Sequence, residues 1–221
     1  MEVVLLSPNF KYNIGDFFDK PDSDLINKQE SILGRIALKK AYNSFKKSRQ
    51  SPRTINILKD DSGVPFIKNG EDLFCSISHS FGYALAVVDK NRVGVDIEKI
   101  RDHREELIKY IATPQELEIV SDKNKENTIT KTWVIKEAVL KALGVGFELN
   151  PKSLEICKKV KNNYFVLVNN KGELYRFNVL AFRWKDFCIA IAVEERKYEK
   201  RKINWNNFSS VYLSEIESID R

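Results

Sequence analysis

The sequence predicts an α+β protein in which each of two long helices packs on a small antiparallel sheet. Apolar residues recur at helical spacing in two long segments, one in the first quarter of the chain and one past its middle. A series of short alternating strands, separated by turn residues, follows each helical segment. Because antiparallel strands can be joined by tight turns, this repeated order favours two helix-covered sheets over a parallel βαβ arrangement.

The composition is that of a folded chain and favours anionic partners. The chain has 221 residues, of which 43% are hydrophobic and 31% charged, with a formal net charge of +6. This balance permits a packed core and is unlike that of disordered sequences. The positive charge favours phosphates, an acidic protein or nucleic acid. Basic and aromatic residues are not interleaved on one strand face, so we do not expect nucleic acid binding.

The cysteines and the short apolar runs indicate a reduced, cytoplasmic protein. Cys75, Cys157 and Cys188 lie far apart in alternating segments, with neither zinc spacing nor a disulfide framework. The first apolar run, Val3–Leu6, is too short for a secretory signal and follows an acidic residue. No apolar run approaches the length of a membrane span, so no membrane contact is expected.

The first half of the chain is predicted to be one helix followed by a meander of strands. Helical spacing runs from about Leu25 to Lys47. Strands are predicted at Glu2–Leu6, Thr54–Leu58, Pro65–Ile67, Leu73–Ser78, Ala84–Val88 and Val93–Lys99, the last of them closing this meander. Ser78-His79-Ser80 is expected to begin a polar turn.

The second half repeats this order. A capping box at Thr113–Glu116, with proline at the first helical position, starts a short helix. Thr128–Leu143 is the second long helix and is predicted to end at Gly144. Further strands are predicted at Leu154–Val160, Tyr164–Val168, Leu174–Phe182 and Phe187–Val193. The tail Asn204–Ile219, with its aromatic residues, is expected to pack back on the body.

The strand Val93–Lys99 contains the first candidate site. Its apolar residues face one side, and Gly94, Asp96 and Glu98 face the other. Two neighbouring carboxylates on one face repel each other unless a cation lies between them. Mg²⁺ is one solution, because it commonly binds one or two protein carboxylates. The alternative is an ordinary half-solvated strand with two hydrated acids.

The second long helix and one turn contain further candidates. Trp133, Glu137 and Lys141 are spaced by four and therefore share one side of the helix. Glu137 and Lys141 form either an ordinary surface pair or a third carboxylate and a phosphate-binding ammonium. His79, between two serines, either donates to an anionic oxygen or satisfies the backbone of its own turn.

Together these stretches resemble the 4′-phosphopantetheinyl transferases, specifically the longer, surfactin-synthetase-activating class. That family has a Gly-x-Asp-x-Glu strand and then a Trp-x-x-Lys-Glu-Ala/Ser-x-x-Lys helix, matched here by Gly94–Glu98 and Trp133–Lys141. Its Ser-His-Ser and Gly-x-Pro turns are matched by Ser78–Ser80 and Gly63–Pro65. The resemblance runs from the first long helix to about Leu154, and four motifs in order are far more specific than one.

The resemblance implies a pseudodimer of two similar α+β halves. Residues 1–101 would hold the coenzyme A turn and the acidic strand, and residues 102–221 the catalytic helix. The implied reaction transfers 4′-phosphopantetheine from coenzyme A to a serine of an apo acyl or peptidyl carrier protein and releases adenosine 3′,5′-bisphosphate. Such carriers serve fatty acid, polyketide or nonribosomal peptide biosynthesis. A monomeric enzyme is expected.

The resemblance also implies roles for individual residues. Asp96, Glu98 and Glu137 would hold Mg²⁺, for which Mn²⁺ could substitute. Glu137, directly or through a water, is the expected base for the serine proton, and Asp96 and Lys141 complete the expected catalytic set. Coenzyme A is expected to contact four side chains, Ser78, His79, Lys136 and Lys141.

Two positions depart from the family pattern. Relatives often carry a basic residue that holds the 3′-phosphate where Glu30 stands, and many carry Lys where Val64 stands. Both changes remove expected nucleotide contacts. They leave open an alternative, a non-catalytic relative that binds coenzyme A or a carrier protein and regulates, although retention of the three acids and Lys141 favours the transferase.

Overall fold

The computed structural model describes residues 1–19, 29–70, 72–121, 124–145 and 149–195. Its helices are α1 (Ile14–Phe17), α2 (Gln29–Lys46), α3 (Glu105–Ile111), α4 (Pro114–Val120) and α5 (Lys125–Leu143). Its strands are β1 (Glu2–Leu6), β2 (Ile57–Lys59), β3 (Pro65–Ile67), β4 (Phe74–Ser80), β5 (Tyr83–Asp89), β6 (Val93–Lys99), β7 (Leu154–Val160), β8 (Asn163–Asn170), β9 (Glu173–Trp184) and β10 (Phe187–Glu194).

The strands form antiparallel sheets, and a long helix covers each of the two larger ones. The first sheet has the order β1-β5-β4, and the second has the order β6-β10-β9-β8-β7. β2 and β3 form a separate hairpin. The buried face of α2 packs on the first sheet, and α5 packs on the second. The predicted α+β class, with one long helix on each antiparallel sheet, is therefore confirmed.

The acidic strand β6 belongs to the second sheet, which corrects its predicted place in the first meander. β6 pairs with β10, with Asp96 opposite Ala190. The physical reason lies in β5, whose two edges are already hydrogen-bonded to β1 and β4. β6 therefore crosses to the second sheet, although its sequence follows β5 directly. That the halves divide at residue 101 and form a pseudodimer remains a prediction.

The Ser78–Ser80 stretch is part of a strand and not of a turn. β4 continues to Ser80, and the chain reverses at Phe81 and Gly82, both with positive φ (48° and 80°). Positive φ at both central positions is typical of a tight two-residue hairpin. The alternation of β4 consequently places Ser78 and Ser80 on one face, two residues apart, with His79 on the other.

The caps confirm the predicted start of α4 and the predicted end of α5, whereas α5 begins at Lys125 and not at the predicted Thr128, because Asn124 caps it there. The Thr113 side chain accepts a hydrogen bond from the Glu116 amide, and the Glu116 carboxylate accepts one from the Thr113 amide, which completes the capping box of α4. Gly144 ends α5 with a left-handed φ of 71°. The part of the first helix predicted before residue 29 and the tail from residue 196 lie outside the described residues.

All three cysteines are free; Cys75 and Cys188 are buried and Cys157 is exposed. Among the described helices, none is long and apolar enough to cross a membrane.

Candidate active site

A cleft of about 390 Å³ lies between α5 and β6 on one side and α2, the β2–β3 hairpin and β4 on the other. This volume is within the range of small-molecule sites. Trp133, Glu137 and Lys141 come from α5, and Asp96 and Glu98 come from β6. The facing residues belong to α2, to the β2–β3 hairpin and to β4 and include Ser31, Arg35, Lys59, Ser78 and His79. The structure thus brings six of the seven predicted site residues to one cleft.

Gly94 explains how α5 reaches the acidic strand. A Cβ atom at this position would lie 2.0 Å from the Ala138 carbonyl oxygen and 2.5 Å from the Ala142 amide nitrogen. Both distances are far below van der Waals contact, so only glycine permits this approach. The close contact lays Glu137 and Lys141 of the helix against Asp96, two residues further along the strand.

Asp96 is the centre of a buried polar network. Its Oδ1 accepts hydrogen bonds from Ser78 Oγ (2.7 Å) and from Lys141 Nζ (2.7 Å). Lys141 Nζ also donates to Ser78 Oγ at 3.0 Å. One residue further along β6, the Ile97 amide donates to the same Ser78 hydroxyl at 3.3 Å. Ser78, predicted to contact coenzyme A, therefore orients Asp96 and Lys141 in this structure.

The other two carboxylates are close enough to Asp96 to change one another's protonation. Burial and the neighbouring charge of Asp96 raise the pKa of Glu137 to about 7, although Lys141 opposes this rise. Burial first, and then Asp96, also raise the pKa of Glu98, whose Oε2 accepts a 3.2 Å hydrogen bond from Ser80 Oγ. Desolvation and like charge both disfavour the ionised form of a carboxyl group. Three acids therefore share one electrostatic environment.

The carboxylates fit a hard divalent cation without being arranged around one in advance. Within the described part of the chain, no three acidic, His or Cys side chains are already gathered as metal ligands. Lys141 draws Asp96 towards itself, and like charges keep carboxylates apart. However, Asp96 Oδ2 and Glu137 Oε1 are buried without a hydrogen-bond partner. Such oxygens are costly to leave unsatisfied, and Mg²⁺ prefers carboxylate oxygens.

His79 lies at the rim of the cleft, where Glu30 holds it. His79 Nδ1 lies 3.1 Å from Glu30 Oε2, and Glu30 Oε1 accepts a 2.7 Å hydrogen bond from the Gly82 amide. Glu30 thus links the β4–β5 hairpin to α2. With Nδ1 engaged, Nε2 is the ring nitrogen that remains for a ligand in the cleft.

Lys136 is the predicted site residue that the structure does not bring to the cleft. Its side chain is fully buried, and Nζ lies 2.8 Å from Glu116 Oε1 and 3.1 Å from the Pro151 carbonyl oxygen. On a helix, neighbouring residues project about 100° apart, so Lys136 and Glu137 cannot face the same side. Its predicted contact with coenzyme A is therefore replaced by an internal ion pair.

Comparison with known proteins decides the family. The model of the 4′-phosphopantetheinyl transferase superfamily matches residues 92–192, which include β6 and α5. A holo-[acyl-carrier-protein] synthase of a Nitratiruptor species is 33% identical over 112 residues, which cover 94% of that protein and 46% of this chain. The chain belongs to the 4′-phosphopantetheinyl transferase superfamily. It is a phosphopantetheinyl transferase enzyme, so the non-catalytic alternative is not retained.

A longer relative aligns with a larger share of this chain. A 4′-phosphopantetheinyl transferase of Bacillus subtilis is 26% identical over 183 residues, covering 76% of this chain and 78% of that protein. This alignment of 183 residues is much longer than the 112 residues aligned with the holo-[acyl-carrier-protein] synthase, which supports the longer class. A crystal structure of Thermotoga maritima holo-[acyl-carrier-protein] synthase aligns with a TM-score of 0.40 at 21% identity, covering 48% of this chain and 63% of that one.

Three polar residues at the cleft of the transferase were not among the predicted site residues. Ser31 and Arg35 lie one turn apart on α2, and Lys59 ends β2. The Arg35 guanidinium donates a 2.7 Å hydrogen bond to the Ile57 carbonyl oxygen, which orients it beside the hairpin. The i,i+4 spacing of Ser31 and Arg35 was visible in the sequence. The sequence contains no signal that this side of α2 faces α5 and β6.

Proposed function

We propose that this enzyme transfers 4′-phosphopantetheine from coenzyme A to a serine hydroxyl of an apo acyl or peptidyl carrier protein, with Mg²⁺, and releases adenosine 3′,5′-bisphosphate. One observation carries the proposal: Asp96, Glu98, Glu137 and Lys141, from two separate elements, line one cleft and leave carboxylate oxygens buried without partners. Stabilisation of charge at a pyrophosphate calls for such a grouping of carboxylates and an ammonium.

The reaction is a displacement at phosphorus. The serine oxygen bonds to the phosphorus that carries pantetheine, and the bond from that phosphorus to the bridging oxygen breaks. The bridging oxygen leaves on adenosine 3′,5′-bisphosphate with the bonding electron pair. Mg²⁺ held by Asp96, Glu98 and Glu137 would supply positive charge to the pyrophosphate oxygens.

Glu137 is suited to accept the serine proton. Its pKa of about 7 lies near neutral pH, where a general base is effective, because it is partly ionised and still basic. The unpaired Glu137 Oε1 provides an acceptor at the cleft. Binding of a cation beside this carboxylate would favour the ionised form. Transfer to a water held by Glu137 is the alternative route for the proton.

Lys141, which is held by Asp96 and Ser78, would place positive charge beside the transferred phosphate. Lys141 Nζ has three N–H donors, and its bonds to Asp96 and Ser78 account for two of them. Its side chain is 30% exposed, so the ammonium borders the cleft. An ammonium fixed in this way stabilises developing negative charge without reorganising. His79 Nε2 is the proposed donor to a further phosphate of coenzyme A.

The proposed partner is an acidic carrier protein. The net charge of +6 favours a charge-steered encounter with an acidic partner. We further propose a cytoplasmic, monomeric enzyme built as a pseudodimer that divides near residue 101.

A labelling assay tests the proposal. Purified enzyme is incubated with fluorescent coenzyme A and a panel of apo acyl and peptidyl carrier proteins, with Mg²⁺ or with EDTA. We expect labelling that requires both the metal and the carrier serine. Release of adenosine 3′,5′-bisphosphate is followed in parallel by chromatography. Absence of labelling across the panel, with active reference enzyme alongside, would contradict the proposal.

Matched variants then separate the site from the fold. Asp96→Asn preserves shape and removes one charge, and we expect labelling to be lost while the unfolding temperature changes little. The isosteric change Asp186→Asn, at a largely exposed aspartate, is the control and should retain full labelling. Near-wild-type turnover of Asp96→Asn would remove the metal assignment.

A further inference from the structure

Lys136 and Glu116 form a buried ion pair directly behind the proposed catalytic residues. The Lys136 side chain is 0% exposed and the Glu116 side chain 5% exposed, and both carboxylate oxygens lie within 2.9 Å of Nζ. Burying two charges costs more than burying apolar side chains of the same volume, so such a pair is weak evidence of a stabilising role. Its presence calls for a role that an apolar pair could not fill.

The Lys136–Glu116 pair connects α5 to three other parts of the chain. Its Oε2 accepts a 2.9 Å hydrogen bond from the Thr113 amide at the start of α4, and its Oε1 accepts a 3.1 Å hydrogen bond from the Ile156 amide in β7. Lys136 Nζ adds a 3.1 Å bond to the Pro151 carbonyl oxygen. The pair therefore fixes the middle of α5 to α4, to β7 and to the segment before β7.

The opposite side of α5 is fixed at Gly94. There the helix backbone at Ala138 and Ala142 meets the strand without room for a Cβ atom. The helix is thus held between a glycine contact on one side and a directional ion pair on the other. Apolar contacts alone tolerate small shifts, whereas charge-assisted hydrogen bonds have a defined length and direction.

We infer that the Lys136–Glu116 pair is a positioning device, which sets the rotation and height of α5 and so the placement of Glu137 and Lys141 at the cleft. Lys136 immediately precedes Glu137 in the chain, so any rotation about Lys136 moves the carboxylate. The inference rests on the proposed function of that cleft. It assigns Lys136 and Glu116 no contact with either substrate.

The consequence is an effect on turnover that exceeds the effect on binding. A misplacement of about 1 Å in a catalytic group can cost on the order of 100-fold in rate. Coenzyme A would still be bound by groups outside α5, including those of α2 and the β2–β3 hairpin. Loss of the pair should therefore lower kcat while KM for coenzyme A changes little.

The test compares three variants with a matched control. Lys136→Met removes the ammonium and leaves Glu116 buried and unpaired. Lys136→Met with Glu116→Gln removes both charges and retains an amide oxygen to accept a backbone hydrogen bond. Glu116→Gln alone completes the cycle. Lys39→Met is the control, because Lys39 is equally buried in α2 and its Nζ bonds the Phe17 and Pro52 carbonyl oxygens (2.6 and 3.0 Å) away from the catalytic cluster.

Each variant is measured for kcat, for KM of coenzyme A, and for the unfolding temperature with and without Mg²⁺. We expect Lys136→Met to lose at least about 10-fold in kcat, with KM within about twofold, and to show a smaller Mg²⁺-induced rise in unfolding temperature than wild type. The double variant should regain stability relative to Lys136→Met without regaining kcat. Lys39→Met should lose stability but keep its kcat and its response to Mg²⁺.

Two results would overturn the inference. One is a double variant whose kcat recovers together with its stability, because the pair would then serve the fold alone. The other is a Lys136→Met variant whose kcat and whose Mg²⁺-induced rise in unfolding temperature both equal those of wild type. Failure of the proposed function has a different result: wild-type enzyme would label no carrier and show no Mg²⁺-induced stabilisation. That result would overturn the inference as well.

Discussion

Replacing Glu137 by Gln should abolish transfer and yet stabilise the metal-free protein above neutral pH. Burial, Asp96 and Glu98 raise the pKa of Glu137 from 4.5 to about 7, against the opposing charge of Lys141. A carboxyl group with a higher pKa in the folded state binds more protons when folded. The free energy of unfolding therefore falls as the pH rises from about 4.5 to about 7, and stays lower above pH 7.

The magnitude follows from the same two pKa values. A difference of one pKa unit corresponds to about 1.36 kcal/mol. Ionisation of Glu137 in the folded state therefore lowers the free energy of unfolding by at most about 3 kcal/mol. Gln resembles the protonated carboxyl group and avoids this cost. For a chain of this size, about 1 kcal/mol shifts the unfolding temperature by about 2–4 °C. We expect Glu137→Gln to unfold about 6–12 °C above wild type at pH 8.5 in EDTA.

Thermal and urea unfolding at pH 4.5, 7.0 and 8.5 measure this difference. The gain of Glu137→Gln over wild type should be small at pH 4.5 and largest at pH 8.5. With Mg²⁺ added, wild type should become more stable than Glu137→Gln, because binding of the cation to the folded state stabilises wild type more than the variant. The control is Glu118→Gln, at an exposed position of α4, which should change stability by less than about 0.5 kcal/mol at every pH.

The reasoning would be refuted by a Glu137→Gln variant that is no more stable than wild type at pH 8.5 without metal. It would equally be refuted by a gain of the same size at all three pH values. The first outcome would mean that the carboxylate is not desolvated. The second would mean that packing, and not ionisation, distinguishes the two side chains.

Three further predictions concern the helix contact, the rim and the ammonium. Gly94→Ala should destabilise the protein by about 3 kcal/mol or more in urea unfolding, because the new Cβ would overlap the Ala138 carbonyl oxygen. A loss of stability below about 1 kcal/mol would show that α5 can move away from β6. Glu30→Gln should raise KM for coenzyme A several-fold at constant kcat and shift the NMR signals of the His79 ring; unchanged signals and KM would show that Glu30 does not position it. Lys141→Ala should lower kcat about 100-fold or more in the labelling assay, whereas a loss below threefold would make Lys141 an ordinary partner of Asp96.

The local elements could be predicted well because local patterns specify them. The caps at Thr113 and Gly144 and the strict alternation of β6 depend on residues a few positions apart. The pairing of β6 with β10 could not be predicted in this way, since it depends on which edges of β5 are already used. The predicted turn at Ser78–Ser80 is wrong because serine is common in turns, and because this strand carries polar residues on both faces and so lacks the usual alternation.

The candidate site was partly predictable for the same reason. Spacing by two on β6 placed Asp96 and Glu98 on one face, and spacing by four on α5 placed Glu137 and Lys141 on one side. The motif also suggested Lys136 as a ligand contact, but a buried partner distant in sequence holds it instead. Glu30 shows the converse: a departure from the family pattern proved to hold His79.

The sequence by itself determined which side chains share a face of β6 and of α5, because backbone geometry fixes those directions within each element. Only the tertiary structure decided that the two faces meet, since their approach depends on Gly94 having no Cβ atom beneath the α5 backbone. It also decided the protonation of Glu137, because desolvation and the charges of Asp96, Glu98 and Lys141 act through space.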